Sequence, residues 1–381
     1  MSQHPIHGWI PGVLSDKQIK RLLEKSFLTG EVHNLTVDKS SIDLTLSDEG
    51  FRMVSGAVKP FGKDYHHKIL KNTQVAEPQQ ADSAGHFKLQ PKQTYVFRLQ
   101  QSLGSDLRDA GFFHGHATAK SSVGRVDVLA RLIVDGMSSY ECFHPNAIEK
   151  SNGQMFLEIT PITFPVLVKK GISLSQLRIF CGTDEDAKMQ GEVLYRSVIY
   201  NSEINDGCLT ADLSNVPVND SGESGCAFEA KFLQDAEPIP LWEEPGIAPD
   251  PHNYWELIQA KEVGNRTVLP IKKESFYILR SKEQIALPGG IAVYCRAIDE
   301  TIGEMRIHYA GFVHPTFGFG EPGQGTPLIF EVRGHDVEVL LSDGERMAHL
   351  TFYRMSADCE GKEDSAYGNQ TLKLSKFFKP W

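Results

Sequence analysis

The sequence predicts a mainly β protein made of two tandem β-barrel or β-sandwich domains. Three observations favour this fold: many short β-rich segments between turn residues, few helical patterns between them, and one order of motifs that occurs twice. Each copy contains a cation, a His-Pro motif and a glutamate in an apolar strand. These residues are Lys120, His144 and Glu158 in the first copy and Arg296, His314 and Glu331 in the second. The intervals are 24 and 14 residues in the first copy and 18 and 17 in the second. A tandem duplication predicts one folding unit for each copy.

The first predicted element is a helix that begins after Ser15. Ser15 is a good N-cap, Gln18 occupies the capping-box position, and apolar residues follow at helical spacing. Strands of the first copy are predicted at Ser41–Leu46, Thr94–Leu99, Met155–Ile159, Phe164–Val168 and Leu177–Phe180. The second copy repeats them as S-F-Y-I-L, I-A-V-Y-C, P-L-I-F-E-V, V-E-V-L-L and A-H-L-T-F-Y.

The junction between the two domains is predicted near Tyr200, which divides the chain into residues 1–200 and 201–381. Residues 201–253 are rich in turn formers and acids, and they form either a long loop inside the second copy or a plain linker that runs to about residue 250. The polar, basic C-terminal tail is either frayed or ordered over a ligand.

Composition excludes several classes of protein. The 381 residues, 40% of them hydrophobic, suit two globular domains, and the formal charge of −10 disfavours non-specific nucleic-acid binding. The six cysteines are scattered without a CxxC pair, which is typical of reduced thiols. The sequence shows no signal-peptide pattern and no apolar run long enough for a membrane span. We therefore expect a cytoplasmic protein without membrane or nucleic-acid partners.

A compact polar cluster in the first copy suggests a phosphate site. Lys120, Ser121, Ser122 and Arg125 combine two cations with two hydroxyls beside a glycine, which is what a polyphosphate needs. The order of residues is not that of a Walker loop. A solvated loop is the alternative interpretation.

The two strand glutamates are candidate proton carriers. Burial of a carboxylate among apolar residues raises its pKa toward the range useful to a general acid or base. The alternative is that Glu158 and Glu331 lie on the polar face of an alternating strand. The His-Pro motifs are either ordinary turns or ligands.

The H-G-H pair, His114 and His116, could suggest a metal site. However, no third ligand has suitable spacing, and the H-x-E and P-C-x-x-C motifs of zinc-dependent nucleobase deaminases do not occur. The sequence therefore predicts no zinc and no protein-bound metal.

Together these motifs resemble the dCTP deaminase branch of the dUTPase-like superfamily, in a long, tandem-duplicated bacterial form. A-K-S-S-V-G-R-V-D is similar to the family's G-R-S-S-x-x-R-x-G phosphate motif, with Lys120 in place of Arg. G-Q-M-F-L-E-I resembles its V-L-E-F strand, V-K-K-G-I-S-L-S-Q-L-R-I-F its following hairpin, and Y-G-N-Q (Tyr367 to Gln370) its C-terminal lid. The family's I-D-P aspartate is histidine in both copies. The resemblance implies distorted, jelly-roll-like dUTPase-type barrels.

The resemblance also implies a function: zinc-free hydrolysis of dCTP to dUTP and ammonia in pyrimidine deoxynucleotide synthesis, with Mg²⁺ on the phosphates. By resemblance, a strand glutamate is the general base, and Ser121 and Arg125 orient the water. Nucleotide-binding roles are implied for Lys120, Ser122, His144, Arg296, His314, Tyr367 and Gln370. We favour Glu158 over Glu331 as the base, because Ala297 and Ile298 replace the two serines in the second copy. Homo-oligomers with trimeric or pseudo-trimeric symmetry and dTTP or dUTP effectors are also implied.

Two alternatives remain open at this point. A dUTPase or a bifunctional deaminase–diphosphatase would use the same fold, and a nucleotide-binding regulator would have lost catalysis. The products formed from dCTP would separate these functions.

Overall fold

The computed structural model describes residues 8–109, 111–144, 152–233, 235–298, 305–307, 311–319, 325–359 and 371–381. Helices in these ranges are short: α1 Asp16–Leu23, α2 Ser105–Asp109, α3 Ser121–Gly124, α4 Asp184–Ala187 and α5 Glu192–Val198, with a π-helical turn at His66–Leu70 and a 3-10 turn at Pro251–Asn253. The predicted capping box of α1 is present at Ser15 and Gln18. Among the described residues, no helix combines the length and apolar character that crossing a bilayer requires.

The first half of the chain forms one large sheet and part of a small one. Its strands are β1 Gly12–Val13, β2 Leu28–Gly30, β3 Val37–Asp38, β4 Ser41–Met53, β5 Ala76–Pro78, β6 His86–Leu89, β7 Tyr95–Leu103, β8 Phe113–Ala119, β9 Val128–Val134, β10 Cys142–Phe143, β11 Gln154–Pro161, β12 Val166–Lys169 and β13 Ser173–Cys181. The order across the large sheet is β10-β8-β13-β4-β7-β11-β9.

The second half of the chain forms another large sheet, two small sheets and part of a third. Its strands are β14 Lys188–Met189, β15 Ile199–Tyr200, β16 Cys208–Asp212, β17 Val216–Pro217, β18 Ser224–Gly225, β19 Ala227–Ala230, β20 Ile239–Pro240, β21 Trp255–Ile258, β22 Lys261–Val263, β23 Arg266–Ile271, β24 Phe276–Ile285, β25 Ile291–Ala297, β26 Met305–Ile307, β27 Gly311–Val313, β28 Thr326–Gly334, β29 Val339–Ser342 and β30 Arg346–Arg354. Its pairings give the order β27-β25-β30-β16-β24-β28-β26.

The two large sheets have the same strand order, strand for strand. The first begins with β10-β8-β13 and the second with β27-β25-β30. In each sheet the strand that carries the predicted glutamate is the last but one, β11 in the first sheet and β28 in the second. Glu158 on β11 and Glu331 on β28 are therefore structural equivalents. The predicted mainly β fold with a tandem duplication is confirmed.

The first sheet curls into a barrel-like shape, since its two ends meet. The backbone N–H of Ala117 on β8 donates to the carbonyl of Glu141 at 2.7 Å, and the N–H of Glu141 donates to the carbonyl of Leu132 on β9 at 2.8 Å. Glu141 adopts a φ of 63°, in the left-handed region. A single residue in this conformation thus links the two ends.

The sheets divide about a dozen residues before the predicted junction near Tyr200. Strands β14 and β15 pair with β30 and β24, so they belong to the second sheet. Residues 201–253 are also more structured than a plain linker, because β16 lies in the middle of the second sheet. Strand β20 pairs in parallel with β12 of the first half. Short polar strands that pair at long range carry too little local periodicity to be recognised in sequence.

The domains share apolar contacts, and the C-terminal tail adds to them. Val13 and Phe180 pack with Ala292, Tyr353 and Met355 of the second half. The tail from residue 371 buries four apolar side chains in the large cluster that joins the first-domain core to residues of the second half, namely Leu372, Leu374, Phe377 and Phe378. The described part of the tail, residues 371–381, is therefore ordered rather than frayed.

Candidate active site

A cavity of about 280 Å³ lies between the two copies and contains most of the predicted site residues. The first copy contributes the phosphate cluster at the end of β8 and in α3. The second copy contributes residues from β27, β28 and the turn after β27. The residues that line it and bear on the chemistry are Asp38, Lys39, Asp43, Lys120, Ser121, Ser122, Arg125, Gln176, His314, Glu331 and Lys376.

Arg125 and Glu331 face one another across this domain interface. The guanidinium Nε lies 3.9 Å from the Glu331 carboxylate Oε1, and the two side chains are only 10% and 6% exposed. Burial raises the pKa of Glu331 to about 7, although the charge of Arg125 partly opposes the shift. A carboxyl group with this pKa exchanges a proton readily at neutral pH.

The alternation of β28 explains why Glu331 points toward the first domain. Side chains of a strand alternate between its faces. Phe330 and Val332 belong to the core of the second domain, whereas Ile329 packs against a different apolar cluster, which contains the first-domain core and extends into the second half of the chain. Arg333, on the same face as Glu331, donates from Nη1 to Asp127 Oδ2 of the first domain at 2.6 Å. Strand β28 therefore joins the two domains through its polar face.

The phosphate cluster is held by charges and by the tail. The Lys120 ammonium is paired with the carboxylate of Asp43, whose pKa is raised by burial and partly lowered by that ammonium. The Ser375 hydroxyl donates to the Ser122 carbonyl at 2.7 Å, and Arg125 Nη1 donates to the Lys373 carbonyl at 3.3 Å. The C-terminal tail thus contacts the phosphate cluster through these two hydrogen bonds.

His314 lies in the cavity within a polar network from the first domain. Its Nδ1 is 3.1 Å from the Ser40 hydroxyl, its Nε2 is 3.2 Å from the Gln176 side-chain oxygen, and Asp38 Oδ2 lies 3.6 Å from Nε2. Burial, together with the positive charges of Arg178 and nearby lysines, lowers the pKa of His314 to about 4. The imidazole is therefore neutral at pH 7, and at that pH it acts as a hydrogen-bonding group rather than a cation.

The structure does not bring Glu158 to this cavity, although the sequence argument favours it as the base. The Glu158 carboxylate accepts hydrogen bonds from Arg131 Nε at 3.0 Å and from the Tyr140 hydroxyl at 2.8 Å. Its side chain is 1% exposed. Because these partners neutralise and occupy the carboxylate, Glu331 is the better placed of the two glutamates.

Other predicted residues lie elsewhere. The ring of His144 stacks on His114 at a centroid distance of 5.8 Å, and the guanidinium of Arg296 lies 4.7 Å from the Tyr294 ring. Neither lines the cavity. Tyr367 and Gln370 lie outside the described residues.

Sequence reasoning missed several residues of the cavity. Asp43 stands in the apolar strand S-I-D-L-T-L, so the argument applied to the two glutamates could have identified it. Gln176 and Lys376 carry no such signal, because their place in the site depends on which strand and which tail meet the cavity. Asp127 and Arg333 were also missed, since their pairing crosses 206 positions of sequence.

Comparisons with known proteins show the family and the fold of the chain. Residues 10–183 match the family model described as the 2'-deoxycytidine 5'-triphosphate deaminase N-terminal domain, and residues 244–378 match that of the C-terminal domain. The chain is similar to a crystal structure of 2'-deoxycytidine 5'-triphosphate deaminase from Agrobacterium tumefaciens, with 25% identity, a TM-score of 0.77, and coverage of 94% of this chain and 98% of that one. A search of curated proteins found no match.

Proposed function

Because the chain belongs to the 2'-deoxycytidine 5'-triphosphate deaminase family, hydrolases that act on C–N bonds, we propose that it converts dCTP and water to dUTP and ammonia in the cavity between its domains. The observation that carries the proposal is the buried pair of Arg125 and Glu331. It places a carboxyl group with a pKa of about 7 beside the phosphate cluster predicted from the sequence.

Glu331 is the proton carrier in this proposal. Its ionised form accepts a proton from water as the oxygen attacks C4 of cytosine, and its protonated form then donates that proton to the departing amine. The second proton of the water ends on N3 of the ring as the C4 carbonyl forms, which gives uracil. The balance is one water consumed and one ammonia released. Arg125 stabilises the charge that develops at the reacting centre, and Ser121 orients the water.

The lysines of the cavity and Ser122 bind the phosphates in this proposal. Lys120, Ser122, Lys39 and Lys376 line the same cavity, and their ammonium and hydroxyl groups suit a triphosphate. Asp38 also lines it and is a carboxylate of the kind that a hydrated Mg²⁺ prefers. Mg²⁺, when bound, would neutralise part of the phosphate charge.

The physiological context extends the proposal. The product dUTP is a precursor of dTTP, so we propose a role in pyrimidine deoxynucleotide synthesis in the cytoplasm, with dTTP or dUTP as the effector to test. We also propose a homo-oligomer of trimeric or pseudo-trimeric symmetry. Light scattering of the purified protein measures its mass directly.

The deciding experiment is incubation of the purified protein with dCTP and Mg²⁺, with the products separated by chromatography and ammonia measured. We expect equal amounts of dUTP and ammonia. Formation of dUMP, pyrophosphate and ammonia from dCTP would instead support the bifunctional alternative, and hydrolysis of added dUTP without any reaction of dCTP would support a dUTPase. Nucleotide binding without any product would support a regulator and reject the deaminase.

The pH dependence of the reaction is a first prediction. Glu331 must be ionised to accept a proton, and burial raises its pKa to about 7. We therefore expect kcat/KM for dCTP to fall about tenfold for each pH unit below 7. The measurement is a pH profile from 5 to 9 under first-order conditions.

Asp38→Asn is the control for this profile, because Asp38 is another acid that lines the cavity. The acid limb should persist in this variant. A profile that stays flat between pH 5 and 7 in the unmodified protein would contradict the assignment of Glu331.

A further inference from the structure

A second cluster of polar side chains lies outside the cavity, where β8 meets the start of α4. His114 and His116 are two residues apart on β8, so both imidazoles project from the same face of the strand. Asp184 is the first residue of α4, and its Oδ1 is 2.8 Å from His114 Nε2 and 3.4 Å from His116 Nε2. We call these three residues the His-His-Asp cluster. None of them lines the cavity.

The hydrogen bonding of His114 determines where its lone pair points. Nδ1 lies 2.9 Å from the Gly182 carbonyl oxygen, which can only accept, so Nδ1 carries a proton. Nε2 then faces the Asp184 carboxylate, which also accepts. The space between Nε2 and the carboxylate must therefore hold a positive centre, either a second proton on the imidazole or a metal ion. A histidine with its other nitrogen bonded to a carbonyl is typical of metal ligands.

We propose that the His-His-Asp cluster binds a divalent transition-metal ion of the zinc class through His114 Nε2, His116 Nε2 and Asp184 Oδ1. All three ligand atoms lie within 4.8 Å of one another. Ligands of a tetrahedral zinc ion are separated by about 3.3 Å, given zinc–nitrogen and zinc–oxygen bonds of about 2.0 to 2.1 Å. The two nitrogen–oxygen separations, 2.8 and 3.4 Å, are close to that value, and the imidazole nitrogens would have to lie at a similar distance from one another when the ion is bound. Imidazole and carboxylate together suit Zn²⁺ and its neighbours rather than Mg²⁺ or Ca²⁺.

The position of the cluster makes the ion structural. Asp184 belongs to the short segment that leads from β13 into the second domain, and Ala187 at the end of α4 packs in the apolar cluster between the domains. The ring of Phe180 covers both imidazoles, at 4.8 Å from His114 and 5.4 Å from His116. An ion here would link β8 to the connection between domains, and it would take no part in deamination.

The test uses the full-length protein after treatment with EDTA and dialysis. We expect calorimetric titration with Zn²⁺ to show about one high-affinity ion per chain, and Zn²⁺ to raise the Tm by a few degrees. Co²⁺ in its place should give the intense visible absorption of a tetrahedral site. His116→Ala and the nearly isosteric Asp184→Asn should each weaken Zn²⁺ binding at least tenfold, as loss of a ligand does.

His252→Ala is the matched control, because the His252 imidazole also contacts an aspartate, at 2.8 Å, outside any described three-ligand group. This variant should bind Zn²⁺ like the unmodified protein. Circular dichroism of each variant confirms that it is folded. The proposal is overturned if the full chain shows no saturable binding below millimolar Zn²⁺. Equal binding by Asp184→Asn and the unmodified protein would overturn it as well.

Discussion

Glu331→Gln is expected to lower kcat for dCTP deamination about a thousandfold and to leave nucleotide affinity nearly unchanged. Glutamine has almost the same shape as glutamate, but it cannot take a proton from water, and general acid–base groups typically contribute 10²- to 10⁴-fold. The Arg125 guanidinium, 3.9 Å away, would keep its position beside the amide. Steady-state kinetics and a dCTP binding titration measure the two quantities separately.

Glu158→Gln is the matched control, because Glu158 occupies the equivalent strand of the first copy. Its carboxylate is held by Arg131 and Tyr140 and lies outside the cavity. We expect kcat to remain largely unchanged and the free energy of unfolding to fall by about 1 to 3 kcal/mol, since a buried charged hydrogen bond is lost. Equal loss of turnover in the two variants would contradict the choice of Glu331.

The Glu331 variant should also be more stable than the unmodified protein at alkaline pH. Burial raises the pKa of Glu331 from 4.5 to about 7, so between these values the folded state binds more protons than the unfolded state. The free energy of unfolding therefore falls as the pH rises through this window, whereas glutamine has no proton to lose. Melting curves at pH 5 and pH 8 should show the advantage of the variant only at pH 8.

The sequence predicts the two glutamates and favours Glu158 because the first copy keeps the two serines of the phosphate motif, whereas the structure places Glu331 in the cavity. Glu158 and Glu331 stand in the same apolar pattern, on equivalent strands of equivalent sheets. The choice depends on which strand face meets the other domain and on the partners Arg131 and Tyr140. Both are properties of tertiary packing. The resemblance of motifs therefore located the phosphate cluster, while only the structure paired Arg125 with Glu331.

The same limit explains why the sequence argument found no third ligand for the two histidines of the His-His-Asp cluster. The H-G-H pair is visible in the sequence, but Asp184 lies 68 residues beyond His116 and reaches it through the pairing of β8 with β13. A search for a third ligand by local spacing cannot find such a residue. Long-range strand pairing brings together residues that no short motif contains.

Arg333→Met should produce the largest loss of stability among the variants considered. Arg333 Nη1 lies 2.6 Å from Asp127 Oδ2, and the Asp127 side chain is fully buried at the domain interface. Removal of one partner leaves a buried carboxylate without its guanidinium, which costs about 3 to 5 kcal/mol. Because Arg333 and Glu331 share one face of β28, we expect kcat to fall as well. Denaturant unfolding and deaminase kinetics measure the two effects.

The double variant Asp127→Asn with Arg333→Met distinguishes loss of the ion pair from general disruption. Removal of both charges avoids the isolated carboxylate, so much of the stability should return. Lys92→Met is the exposed control, because Lys92 and Glu274 also join the two domains, at 3.0 Å, but their side chains are 66% and 61% exposed. Solvent screens that pair, so its loss should leave the free energy of unfolding nearly unchanged. Equal destabilisation by Lys92→Met and Arg333→Met would show that burial of the Asp127 charge does not hold the two halves of the site together.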